Sequence, residues 1–157
     1  MGATHSLVAL SGAVVIASQT TTDYTHAGLF IGGCVMHAKG PDVDIKLHIP
    51  HRGPTTHSLL AVLLYSAVVY SVAAHFWPEY ALVVGGGVCL GLVLHLLADA
   101  LTISGVPLLW PVVRGDIHLL PRGWRVRTDG RVESVLAFLL SVGLLGFLWF
   151  TYGAAYA

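Results

Sequence analysis

The amino-acid sequence predicts an all-α integral membrane helical bundle, with three long transmembrane helices and a shorter N-terminal helical hairpin. Three observations carry that expectation. Of 157 residues, 55% are apolar and 10% charged, where ordinary soluble domains carry about a quarter charged. Three segments reach the ~20 apolar residues that cross a bilayer core. The Lys and Arg residues all fall outside those segments, in two loops. The length suits a single membrane-embedded domain, 1–157.

The elements run in order. Leu7–Ala17 and Ala27–Met36 are apolar runs too short for full spans; the polar stretch Gln19-Thr20-Thr21-Thr22-Asp23 divides them into a partly inserted hairpin. Met1–Ala17 has no Lys or Arg near its start, so it is read as mature chain rather than a signal peptide. The long spans run His57–Trp77, Tyr80–Ile103 and Val132–Tyr152, with Trp77-Pro78-Glu79 as a tight connection. Gly85, Gly86, Gly87 and Gly91 lie in mid-span and read as close helix packing. Pro54 suits a first helical turn, which puts the start of the first long helix near Gly53 and His57 on that helix. Positions six apart on a helix differ by about 600°, so His51 and His57 would face different ways.

Orientation comes from the basic residues. Lys39, Lys46 and Arg52 precede the first long span, and Arg114, Arg122, Arg125, Arg127 and Arg131 lie between the second and third. If the first two spans form a hairpin, both loops share one side, cytoplasmic by the positive-inside rule. The chain is therefore expected in the inner cell membrane, multi-pass. Formal charge is zero, so no nucleic-acid partner is expected. Cys34 and Cys89 form neither a disulfide framework nor a CxxC pair.

The anomaly is nine histidines in so apolar a chain. His95 and Asp99 are i and i+4 and share a helix face, which Thr102 continues. The hairpin brings His57 to similar depth, Glu133 opens the third span from the same side, and Asp42 and Asp44 sit in the preceding loop. Such a cluster in low dielectric binds a divalent metal, relays protons, or pairs internally. Mixed imidazole and carboxylate ligands make Zn²⁺ the first choice, with Mn²⁺ or Fe as alternatives. Plainer readings stand beside this one: His75 next to Trp77 as an interfacial group, His37, His48 and His118 as solvated loop or boundary histidines, Glu133 as a helix-dipole partner.

The blocks PDVD at 41–44, HRGPTTHSLL at 51–60 and HLLADALTISGVPLLWP at 95–111 resemble the YdjM-like family of inner-membrane, metal-dependent hydrolases. Thr4-His5 and Arg131-Val132-Glu133 are similar to that family's terminal motifs. The family in turn looks distantly similar to the zinc-dependent phospholipases C and P1-type nucleases. The chain departs from its pattern in two places: Ile45 stands where a His directly follows PDxD, and HRGPTTHS is one residue longer than HRGxTHS. The resemblance implies metal ligands His5, Asp42, Asp44, His57, His95 and Asp99, with Glu133 and then His26 as further candidates, and one to three metal ions. It implies hydrolysis of a phosphoester on a membrane lipid or lipid-linked substrate. Asp44 or Glu133 would act as general base. His51 and Arg52 would handle anionic contacts, Arg52 gripping a phosphate oxygen. Two rival functions use the same residues: a metal-ion or proton transporter, and a non-catalytic membrane scaffold.

Overall fold

Helices form where the sequence supplies caps as well as apolar runs. The computed structural model describes residues 2–127 and 131–152, with side chains described over 4–127 and 135–151. Helix α1, Gly2–Thr20, extends past both ends of its apolar run and closes with the Thr20 hydroxyl donating to Ile16 O at 2.9 Å. Asp23 then starts α2, Tyr24–His37, by accepting from the Thr25 and His26 amides at 2.7 and 3.2 Å. A single turn, α3 (Val43–Leu47), ends at His48, whose φ of 55° lies in the left-handed region favoured after a helix end. Helices α4 (Leu59–Phe76) and α5 (Ala81–Ala100) form a hairpin around the 3₁₀ turn Pro78–Tyr80. Helix α6 spans Arg131–Tyr152. Among the described residues there is no strand beyond two isolated bridges in the loop after α5.

Two expectations need correction. Helix α4 begins at Leu59, not near Gly53. The Ser58 hydroxyl accepts from the Ala61 amide at 3.2 Å and donates to Pro54 O at 2.6 Å, so it wins the N-cap position over Pro54. His57 thus precedes the helix, in a run of turns, and helical geometry no longer sets His51 and His57 facing apart. Nor do the described residues show three helices long and apolar enough to cross a membrane. Among the described residues there are two, Leu59–Phe76 and Pro78–Ala100, while α6 carries the shorter apolar stretch Val135–Thr151.

Helix α5 is the centre of the bundle, contacting α1, α2 and α4, while α6 lies on α1. Its glycines explain how α2 approaches so closely. A Cβ on Gly87 would collide with Phe30 O, and one on Gly91 with Cys34 O. These two positions form a GxxxG face, as the sequence suggested. Phe30, Cys34 and Ala38 therefore meet Gly87, Gly91 and His95 in turn, which makes α2 and α5 parallel. Ala9, Ala13, Cys34 and Ala38 fill one small core, and Val62, Val88, Leu92 and Leu96 another. Residues 101–127 fold back on the end of α5: Leu119 N donates to Ala100 O at 2.8 Å, and Val126 N to Leu101 O at 3.0 Å. The start of α1, the end of α2, the start of α4 and the end of α5 all lie at the same end of the bundle.

Candidate metal centre

The site is assembled from those four ends, and α5 supplies its fixed axis. His95 and Asp99 are each 1% exposed and one turn apart. The His95 Nδ1 lies 2.7 Å from Ala38 O at the end of α2. A carbonyl can only accept, so Nδ1 carries the proton and Nε2 presents its lone pair inward. Metal-bound histidines are commonly held in this way by a carbonyl on the other nitrogen. The inward Nε2 lies 3.5 Å from Asp99 Oδ2 and 3.7 Å from Asp42 Oδ1.

Asp44, fully buried in α3, organises the turn chain on the opposite side. Its carboxylate meets His51 Nδ1 at 3.0 Å and accepts the Arg52 amide at 2.8 Å and the Thr56 hydroxyl at 3.3 Å. Burial opposes ionisation, but the hydrogen bonds from His51 and the Arg52 amide outweigh it and hold the carboxyl below its usual range. Because the Thr56 hydroxyl donates to Asp44, it accepts from His57 Nδ1 at 2.9 Å. His57 Nε2 then also carries a lone pair, 3.6 Å from Asp99 Oδ2 and 4.0 Å from Asp42 Oδ1. Burial pushes the His57 imidazole down to about 4, with neighbouring His95 adding to the effect and the Asp99, Asp44 and Asp42 carboxylates opposing it. A neutral imidazole is the form that binds a metal.

The atoms that converge have no other occupation. His57 Nε2, His95 Nε2 and Asp99 Oδ2 are all buried without a hydrogen-bond partner among the described residues. Such orphaned atoms cost roughly 1–3 kcal/mol each in an ordinary core. Two lone pairs of imidazole facing carboxylate oxygens are what a divalent cation would satisfy. Three sets of ligand atoms each fall within 4.8 Å of one another: His5, His95 and Asp99; Asp42, His57 and His95; Asp42, Asp44 and His51. The groups are therefore close enough to hold a metal ion.

The remaining sequence-predicted residues divide by place. His5 enters from the start of α1, its Nε2 3.4 Å from Asp99 Oδ1 and its ring 4.3 Å from that of His95. Arg52 is drawn inward: its Nη2 meets Asp99 Oδ1 at 2.8 Å and its Nη1 donates to Thr102 Oγ1 at 3.0 Å. It therefore grips a carboxylate of the site. His26 is not brought to the cluster. It stands at the other end of α2, 3.1 Å from Asp23 and edge-on to Tyr80. The Glu133 side chain lies outside the described residues. Sequence reasoning missed Thr56 and the Ala38 carbonyl. The hydroxyl was visible within HRGPTTHS, but a backbone carbonyl leaves no signal in a sequence.

An all-helical chain with two bilayer-length apolar helices and a buried His/Asp cluster at one end defines a class: a helical membrane-type protein with a candidate metal centre. Comparison with known proteins narrows it. The family described as YdjM inner membrane protein matches residues 1–155, and the chain belongs to that family. It is 42% identical over 91 residues to the inner membrane protein YdjM of Escherichia coli K12, covering 57% of this chain and 43% of the relative. The YdjM protein of Shigella flexneri matches to the same extent. The match spans less than half the length of these relatives. No solved structure matches.

Proposed function

We propose that this chain is a membrane-bound metal-dependent hydrolase that cleaves a phosphoester of a lipid or membrane-associated substrate. The observation that carries the reading is the inward convergence of buried, unpartnered His57 Nε2, His95 Nε2 and Asp99 Oδ2. His57, His95, Asp99 and Asp42 would hold a divalent cation, Zn²⁺ by ligand preference, with Mn²⁺ or Fe as alternatives. When bound, such an ion supplies Lewis acidity and lowers the pKa of a coordinated water to about 7. Asp44 has its acceptors filled and its pKa held low, so it positions neighbours rather than taking protons. His51 is suited to proton transfer: its side chain is 40% exposed and Asp44 orients it from behind at 3.0 Å. Arg52 and Thr102 fix Asp99 against rotation.

Family membership supports an inner-membrane location, and the Lys- and Arg-rich loops at the cluster's end support a site facing the cytoplasm in a multi-pass topology. The transporter reading has less behind it: next to His95 along α5 and α4 the core is Leu92, Val88 and Val62, all apolar and buried, and Ser66 is the one buried polar side chain described on α4. Elemental analysis of the purified protein tests the proposal. Bound transition metal should be lost in His95→Ala and Asp99→Ala, while His51→Ala should keep the metal and lose phosphodiesterase activity. Unaltered metal content in the first two variants would sink it.

A further inference from the structure

Next to the metal centre lies a cavity of about 740 Å³ that the proposed metal ligands leave unused. It falls within the ~300–1,000 Å³ of small-molecule sites. Asp42 lines it, so it opens directly onto the cluster. Its lining divides by type. Lys39 and Lys46, from the end of α2 and from α3, also line it, and among the described residues no carboxylate lies within 4.0 Å of either ammonium. Met36 and Tyr65, one on α2 and one on α4, form an apolar wall with Leu92. That wall is open to the surroundings, with Met36 79% and Tyr65 47% exposed. Tyr65 sits six residues into α4, about 9 Å along a helix apolar and long enough to cross a bilayer.

We infer that this cavity binds a membrane lipid with an anionic phosphate headgroup, its phosphate on Lys39 and Lys46 and its hydrocarbon chain along Met36 and Tyr65. The assignment rests on the hydrolase reading only for what happens at Asp42; the binding itself does not require turnover. Charge decides the headgroup. Arg52, the other cation near the cluster, is spent on Asp99 and Thr102, which leaves the two unpaired lysines to meet an anion. An ammonium is a compact point charge that suits a phosphate without demanding one geometry. Exposure decides the tail. A soluble phosphate gains nothing from an open apolar wall, whereas an acyl chain lying on it buries surface at roughly 25 cal/mol per Å². Both chemistries line one cavity, as an amphiphile at the membrane boundary requires.

The test uses the full chain in phosphatidylcholine nanodiscs with a phosphatidic acid that carries a photoreactive group on its acyl chain. Cross-links are expected at Met36 and Tyr65, with at least a tenfold loss in a Lys39→Glu/Lys46→Glu double variant and recovery in Lys39→Arg/Lys46→Arg. Photoreactive phosphatidylcholine should label these residues far less. Equal labelling by phosphatidylcholine, unchanged labelling in the Glu variant, or full competition by soluble glycerol phosphate each overturns the assignment, the last by identifying a water-soluble ligand. Metal content measured on the same samples separates this inference from the hydrolase reading. Metal without groove labelling removes the lipid site alone. Groove labelling in a protein that never holds metal upholds the lipid site and removes the hydrolase.

Discussion

The two ends of the bundle hold the same kind of residue pair in opposite circumstances. At one end His26 lies 3.1 Å from Asp23, with side chains 36% and 54% exposed. At the other His95 lies 3.5 Å from Asp99, with side chains 0% and 2% exposed. The distances are similar; the electrostatics are not. The Asp23 carboxylate spends itself on two backbone amides as a helix cap, and water screens what remains, so the pair adds little to stability. The His95–Asp99 pair is buried, and three facing atoms there, on His57, His95 and Asp99, lack a hydrogen-bond partner among the described residues, against one, His26 Nδ1, at the exposed end. Proximity of a histidine to an aspartate therefore says little about function. The number of unmet polar atoms around the pair says more.

The sharpest way to break this comparison is to disable each end in turn. His26→Ala should leave bound metal unchanged, whereas His57→Ala should weaken it at least about 100-fold, beyond the ~10–100-fold typical when an outer partner of a ligand is lost. Isothermal titration of the chelator-stripped protein with Zn²⁺ measures both. Equal losses would mean that both ends bind metal and that burial is not the distinction.

A smaller effect is expected at Arg52. Its guanidinium is the one Arg or Lys group within 4.0 Å of Asp99 among the described residues, at 2.8 Å, and the pair is 10% and 2% exposed. Removing one partner of a buried ion pair leaves the other charge uncompensated, at about 3–5 kcal/mol. Arg52→Met should lower the stability of the metal-free protein by about 3 kcal/mol, read as a drop in melting temperature, and added Zn²⁺ should recover part of it. Cutting Asp23 free of its pair by His26→Ala should shift melting far less. If Zn²⁺ gives the Arg52 variant no recovery, Asp99 does not face the metal.

Much of the site was legible because its residues recur at helical or motif spacing. His95 and Asp99 needed only the i, i+4 rule, and the depth of His57 needed only the hairpin. The basic loops placed the site at one end. What escaped was set by competition among local interactions. Pro54 and Ser58 both favour a helix start, and the sequence does not rank them; the structure gives the cap to Ser58 because its hydroxyl reaches both Ala61 N and Pro54 O. Arg52 reads from sequence as facing an anion, since nothing in its neighbours shows that a φ of 57° turns its side chain toward Asp99.

The smallest expected effect is one of pH, and it sets the ends apart by window rather than size. In the folded metal-free protein His57 titrates at about 4, against 6.5 when unfolded. Between those values the unfolded chain binds more protons, so stability is full above 6.5 and falls as pH drops toward 4. At the other end the backbone hydrogen bonds from His26 and Thr25 hold the Asp23 carboxyl below its ordinary 3.8. Its contribution is present above 3.8 and disappears only in stronger acid. Thermal melts of the metal-free protein should therefore show a decline between pH 6.5 and 4 that His57→Asn flattens and Asp23→Asn leaves in place. A decline in that range unaltered by His57→Asn would mean that His57 is not buried as a neutral imidazole, and with it the buried end would lose what distinguishes it from the exposed one.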